Sequence, residues 1–457
     1  MPNSVIDIRE RLDQSPMRGA QFGIIAVCVV LNMLDGFDVL AMAFTASAIA
    51  EDWALGGAEL GILLSAALLG MAIGSTALSS IADAVGRRTT ILGCAVVIAL
   101  GMLVSALAPS YGVLLAMRLV TGLGIGVMQA SLNVYVSEYS SKRRRSLAIS
   151  FYTMGQPIGG TLGGIVIAAL IGPLGWHSAF AFGAIATTVM IPLIFWLLPE
   201  SIDFLLVKRP PNALDTLNRI LRRLGHSTVP ALPPLDAAAN TARGRWAALF
   251  SRANRTKTVL LSVAFFAIMG SFYFANSWTP RLVASNGFTA QDGITAGVMF
   301  SVGGIIGTLA FGIVSTKAGV VRTLLVTFLL GAGGFAGYAI AVNGLSTAFL
   351  AAALLGLLLS AGIAGMFIVG PTHYAAELRA TAVGFIIGMG RVGAILSPIV
   401  AGALIDRDWK PEDLYFLFII PMVVGALAIA GVGRHDRRQV GSADAGTPSP
   451  RGGVAAR

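Results

Sequence analysis

Read only for apolar and polar positions, the chain alternates long apolar runs with short polar breaks. The runs predict helices over roughly 21–47, 57–81, 89–108, 111–136, 146–171 and 178–198, then over roughly 257–280, 290–314, 321–342, 346–370, 380–404 and 413–432. Each is near the ~20 residues a helix needs to cross a bilayer. A polar stretch, 199–256, separates the two sets; it holds Pro210-Pro211, Pro233-Pro234 and a dense share of the basic residues, and reads as a linker with a surface helix near 212–224. Residues 1–20, with Arg9, Arg11 and Arg18, form a basic arm, and 433–457, rich in Gly, Ser, Pro and Arg, reads as a disordered tail. The expected fold is an all-α membrane protein of twelve transmembrane helices in two six-helix halves, 21–198 and 257–432.

The halves repeat. Gly70-Met-Ala-Ile-Gly74 through Gly86 aligns with Gly303-Gly-Ile-Ile-Gly307 through Gly319 at a shift of about 233, and Arg145 ahead of Gly159 matches Arg379 ahead of Gly393 near the same shift. Parallel, pseudo-symmetric halves put a binding site near the midplane between them.

Composition agrees and excludes a soluble class: 56% of residues are hydrophobic and 12% charged, with mean hydropathy +0.80, against about 25% charged in soluble domains. A net charge of +10 raises the question of nucleic acid. Placement answers it, because about 27 of the 32 Lys and Arg fall in the arm, the loops after even-numbered spans and the tail. That is the positive-inside pattern, with both termini cytoplasmic and no nucleic-acid partner. Cys28 and Cys94 lie in apolar runs, so no disulfide framework is expected. Residues 41–50, AMAFTASAIA, resemble a signal-peptidase site, but the preceding run is too long and carries two acids, so it reads as a retained first helix.

Those acids are the first candidate chemistry. Asp35 and Asp38 sit in Leu31-Asn-Met-Leu-Asp35-Gly-Phe-Asp38-Val-Leu40, three apart and on one helical face. An Asp at membrane depth costs roughly 2.5 to 3.5 kcal/mol on insertion scales, which argues for a functional role over a pair of acids wetted at a frayed helix end. Arg118 in the fourth span either snorkels or faces a cavity, and Gln129 and Asn133 either line that cavity or bond a neighbouring helix. In the fifth span the small residues around Gly155-Gln156-Pro157 favour close helix packing. Tyr273, Asn276, Ser277, Trp278 and Pro280 are either interfacial anchors or a flat wall for an aromatic ring. Arg391 lies about ten residues into the eleventh span, too deep to snorkel easily. In the second half Met269 and Phe272 match Asp35 and Asp38, so the acids belong to one half. His177, His226, His373 and His435 are scattered, and no nucleophilic triad, phosphate loop or zinc spacing occurs, so neither catalysis nor a metal or cofactor is expected.

The loop Asp83-Ala-Val-Gly86-Arg87-Arg88 resembles the signature loop of the major facilitator superfamily, G-x-x-x-D-R-x-G-R-R, with Ser79 and Ala84 as departures; its second copy has Thr316 where Asp would stand. The resemblance implies a gate of Asp83, Gly86, Arg87 and Arg88, with Glu138 and Arg145 as partners and Arg379 in the matching loop. Asp35-Gly-Phe-Asp38, Arg118 ahead of Gly122-Leu-Gly-Ile-Gly126, Glu138, Pro199-Glu200-Ser201, Arg379-Ala-Thr and Gly390-Arg391-Val-Gly together look like the aromatic acid:proton symporter family, over about residues 20–432. This implies a monomer in the bacterial inner membrane that imports benzoate, hydroxybenzoate or related aromatic carboxylates with protons. Asp35 and Asp38 would carry the proton. Arg391, or else Arg118, would bind the carboxylate through its planar fork. Phe37, Tyr273, Asn276, Trp278 and Gln156 would complete the substrate site. The alternatives are symport of another metabolite, a drug/proton antiporter and a non-transporting sensor, the last lacking any recognisable output domain in the linker.

Overall fold

The structure, a computed structural model, describes residues 11–445 apart from 12, 79, 233–247, 252, 253 and 375. Hydrocarbon offers no partner to a backbone N–H or C=O, so apolar runs of this length satisfy their own groups as helices. Twelve such helices are present among the described residues. In the first half they are α1 (Gly19–Trp53), α2 (Gly57–Ile73), α3 (Arg87–Ala106), α4 (Tyr111–Glu138), α5 (Arg145–Leu174) and α6 (His177–Leu197). In the second they are α7 (Arg255–Ser285), α8 (Ala290–Ala318), α9 (Val320–Ala341), α10 (Leu345–Thr372), α11 (Ala376–Ile405) and α12 (Ile419–Ala445), the last preceded by a short helix, Pro411–Leu417.

Two boundaries depart from expectation. α1 runs past 47 to Trp53, roughly 50 Å in all, because Glu51 and Asp52 already lie beyond the apolar run and the helix stops only where Ala54 turns left-handed, at φ 51°. The tail, expected to be disordered from 433, continues as helix to Ala445; Arg434 to Gln439 contain no helix breaker. Residues 1–10 of the arm and 446–457 of the tail lie outside the described residues.

The packing repeats between the halves. α1 pairs with α5 as α7 pairs with α11; α2 with α4 as α8 with α10; and α3 packs on α4 and α6 as α9 packs on α10 and α12. The halves meet through α2 against α11 and, symmetrically, α8 against α5. At the end of the molecule remote from the termini this seam is tight. The Asp406 carboxylate, beyond α11, accepts hydrogen bonds from the Gly57 and Ala58 N–H groups at the start of α2, at 2.5 and 2.8 Å, where the helix dipole favours an anion. Deeper in, Ser65 donates to the Ile395 carbonyl at 2.8 Å. A side chain at Gly61 would strike the Pro398 carbonyl at 2.5 Å, so glycine is what lets the backbones touch.

On the opposite face the linker begins as two short helices, Ile202–Lys208 and Ala213–Arg223. The second matches the expected surface helix and buries Ala213, Leu217, Ile220 and Leu221. The arm lies across the same face: Asp13 pairs with Arg145 and Arg11 reaches Ser227 at 3.2 Å.

Candidate functional site

Both acids of α1 are buried, at 3% and 1% exposure, but their surroundings differ. Asp38 Oδ1 forms an ion pair with Arg118 Nη2 at 2.7 Å, and Arg118 is wholly buried. The same Nη2 donates to Thr121 Oγ1 at 2.7 Å, and the guanidinium carbon stands 5.2 Å from the centre of the Phe180 ring. Arg118 therefore neither snorkels nor lies open to a cavity. It is enclosed by α1, α4 and α6.

Asp35, one turn earlier, accepts a 2.8 Å hydrogen bond from Gln129 Nε2 on Oδ2, while Oδ1 is buried with no partner among the described residues. Beside it is a cavity of about 10 Å³ lined by Leu31, Leu34, Ile98, Ile125, Met128 and Thr187. That is about the space one water needs, far too little for an aromatic acid. Gln129 stands on α4, and its backbone carbonyl accepts from Tyr152 of α5 at 3.4 Å; Asn32 of α1 donates to the Tyr152 carbonyl at 2.6 Å. Tyr273 of α7 and Arg391 of α11 lie within electrostatic range of Asp35, so groups from both halves converge there.

Arg391 is half-buried and reaches across the seam. Its Nη1 donates to the Met71 carbonyl of α2 at 2.7 Å and to Ser75 just beyond it. There α2 passes into a π-helical turn, Gly74–Leu78, a distortion frequent at functional sites. Nε and Nη2 of Arg391 carry no hydrogen bond among the described residues. The second arginine thus keeps two free donor groups and is half-buried, whereas the first is sealed in an ion pair with only Nε unpartnered among the described residues.

The other expected substrate residues divide. Tyr273 lies near Asp35 and Arg391; Asn276 is buried and Gln156 half-buried, and neither side chain is hydrogen-bonded among the described residues. Phe37 points elsewhere. It packs edge-on to Phe182 at 5.4 Å and against Gly163 and Gly183 inside the first half, because a residue two positions from Asp35 is turned about 200° from it on a helix. Trp278 is fully enclosed and donates to the Pro398 carbonyl at 3.2 Å. It is neither an interfacial anchor nor an open stacking wall. The Gln156 backbone presses on Gly36 and Met33 presses on Gly159, so the fifth-span glycines serve a close α1–α5 seam.

The expected gate residues gather on the terminus-bearing face with partners that spacing alone does not single out. Gly86 turns at φ 101° into α3, with Glu200 against its Cα. Glu200 accepts from the Arg88 and Ser201 N–H groups at 3.0 and 2.9 Å. Arg87 pairs with Glu138 and donates to Ser201 Oγ at 3.0 Å, and Ser201 in turn donates to Glu138 at 2.8 Å. Arg88 donates to the Phe195 carbonyl at 2.5 Å. Tyr135 and Tyr139 hold the Pro199 and Glu200 carbonyls. Asp83 is 71% exposed and approaches Arg87 only at 3.7 Å. Arg145 engages Asp13 rather than the Asp83 loop, and Arg379 is exposed. Pro199-Glu200-Ser201 is visible as a motif; its bonding is not.

Two packed six-helix halves with charged groups buried between them are the architecture of a secondary transporter. The Major Facilitator Superfamily profile matches residues 25–398. The 4-hydroxybenzoate transporter PcaK of Acinetobacter baylyi is 30% identical over 434 residues, covering 93% of this chain and 94% of that one, and the gallate transporter of Pseudomonas putida is 29% identical over 432 residues, covering 94% and 95%. Among solved structures, the inward-open xylose transporter XylE from E. coli superposes with a TM-score of 0.71 at 16% identity, over 90% of this chain and 95% of that one. The chain belongs to the Major Facilitator Superfamily, within its aromatic acid transporter family.

Proposed function

We propose that the protein imports aromatic carboxylates of the benzoate or hydroxybenzoate class together with protons, by alternating access. It would act as a monomer in the bacterial inner membrane, with both termini and the linker 199–256 cytoplasmic. The observation that carries this reading is the convergence of a buried carboxylate with one unpartnered oxygen, Asp35, and a half-buried arginine with free donors, Arg391, contributed by opposite halves. Substrate class is supported by the names of the relatives, and orientation by the distribution of Lys and Arg.

Arg391 binds the substrate carboxylate through a charge-assisted fork. Once its charge is engaged, Asp35 loses a neighbouring cation and takes a proton more readily. By reciprocal linkage the proton also favours substrate. Anion and proton then cross with no added net charge. Asp38, closed onto Arg118, holds that arginine in place. The network of Gly86, Arg87, Arg88, Glu138, Glu200 and Ser201 stiffens the cytoplasmic end of the first half, with Asp83 and Arg145 at its margins and Arg379 near the start of α11 in the second half.

Uptake of radiolabelled 4-hydroxybenzoate and benzoate into cells expressing the protein, with and without a protonophore, tests this. Accumulation abolished by the protonophore is the expected outcome. Absence of uptake of either compound, or uptake indifferent to the protonophore, contradicts it; proton release on addition of an organic cation would favour an antiporter.

A further inference from the structure

We infer that Gln129 is a positioning residue for proton exchange at Asp35, holding one carboxylate oxygen so that the other receives the proton. The inference rests on the coupling role proposed above for Asp35. The amide NH₂ of Gln129 is a donor only, so at 2.8 Å it requires Oδ2 to act as an acceptor. The proton is left to Oδ1, which is buried and unpartnered among the described residues, on a carboxyl group that lines the cavity of about 10 Å³. Gln129 is itself seated, because Tyr152 of α5 bonds its backbone carbonyl and Asn32 of α1 bonds that of Tyr152, tying the amide to the helix that carries Asp35.

The other groups facing Asp35 are Asp38 on its own helix, itself paired with Arg118, and Tyr152, Tyr273 and Arg391 on α5, α7 and α11. Gln129 is the one that touches the carboxylate by a hydrogen bond among the described residues. A hydrogen bond donated to an ionised group favours that form. Losing it makes Asp35 hold its proton to higher pH.

The test titrates purified protein by infrared difference spectroscopy, assigning the carboxylic-acid band of Asp35 by its loss in Asp35→Asn. In Gln129→Met, which keeps the volume without the amide, the band's midpoint should move to higher pH by about one unit. The alkaline limb of 4-hydroxybenzoate uptake in proteoliposomes should move with it. Gln129→Asn, one methylene too short, should shift both in the same direction and serves if the Met variant does not fold. An unchanged midpoint overturns the inference even if transport slows, since that would mark a purely structural contact. A shifted band in a protein that does not transport aromatic acids would leave Gln129 in its role and refute the substrate reading instead.

Discussion

Asp35 and Asp38 are the same residue type, three positions apart on one helical face, and both are buried. Each leaves one carboxylate oxygen without a hydrogen bond among the described residues. Asp38 meets an arginine from its own half, with Thr121 and Phe180 around that guanidinium. Asp35 meets a neutral amide, and the arginine acting on it electrostatically comes from the other half. A buried ion pair whose members belong to one rigid body need not change as halves rock past each other. A carboxylate whose counter-charge sits on the opposite body changes its electrostatic surroundings with every such movement. The difference separates a group that holds structure from one that can couple.

The contrast breaks most visibly at the arginines. Arg118→Ala leaves Asp38 buried without its partner and should cost about 3–5 kcal/mol, read as a large fall in thermal stability of the detergent-purified protein. Replacing both members, Asp38→Asn with Arg118→Gln, should recover most of that loss, since no uncompensated charge remains. Arg391→Ala removes a half-buried donor of two hydrogen bonds and should cost only about 1–2 kcal/mol while abolishing uptake. Equal destabilisation by the two alanine variants would erase the distinction.

A second contrast lies along the seam between halves. Asp406→Ala removes two carboxylate hydrogen bonds to the start of α2, of about 1.5 kcal/mol or more in this conformation. The seam should open more often, by about tenfold, and a cysteine placed at Ser65 should react faster with a bulky maleimide. Labelling at an unchanged rate would mean that Asp406 does not latch it. The smallest effect is expected at Asp83. It is largely exposed and 3.7 Å from Arg87, so Asp83→Asn should change stability by less than about 0.5 kcal/mol.

Much of this was legible beforehand. Twelve apolar runs, a shift of about 233 between halves and two acids at membrane depth follow from hydropathy and spacing. The shared face of Asp35 and Asp38 follows from helical periodicity, and Phe37's departure from it follows equally. Spacing does not show which atoms face them from another helix. That Arg118 closes on Asp38, that Gln129 rather than Arg118 touches Asp35, and that Trp278 is sealed against Pro398 depend on helix rotation and depth. Those are set by tertiary packing, here by α1 and α5 touching at Gly36 and Gly159. The role of Glu200 was hidden for the same reason: beyond its own neighbour Ser201, the N–H group it caps is that of Arg88 at the start of α3, more than a hundred residues earlier in the chain.

The most direct measurement compares two transport modes of Asp35→Asn in proteoliposomes: exchange of labelled against unlabelled 4-hydroxybenzoate, and accumulation driven by an imposed pH gradient. If Asp35 carries the proton, exchange persists and accumulation is lost. Accumulation at the wild-type level in Asp35→Asn would contradict the assignment.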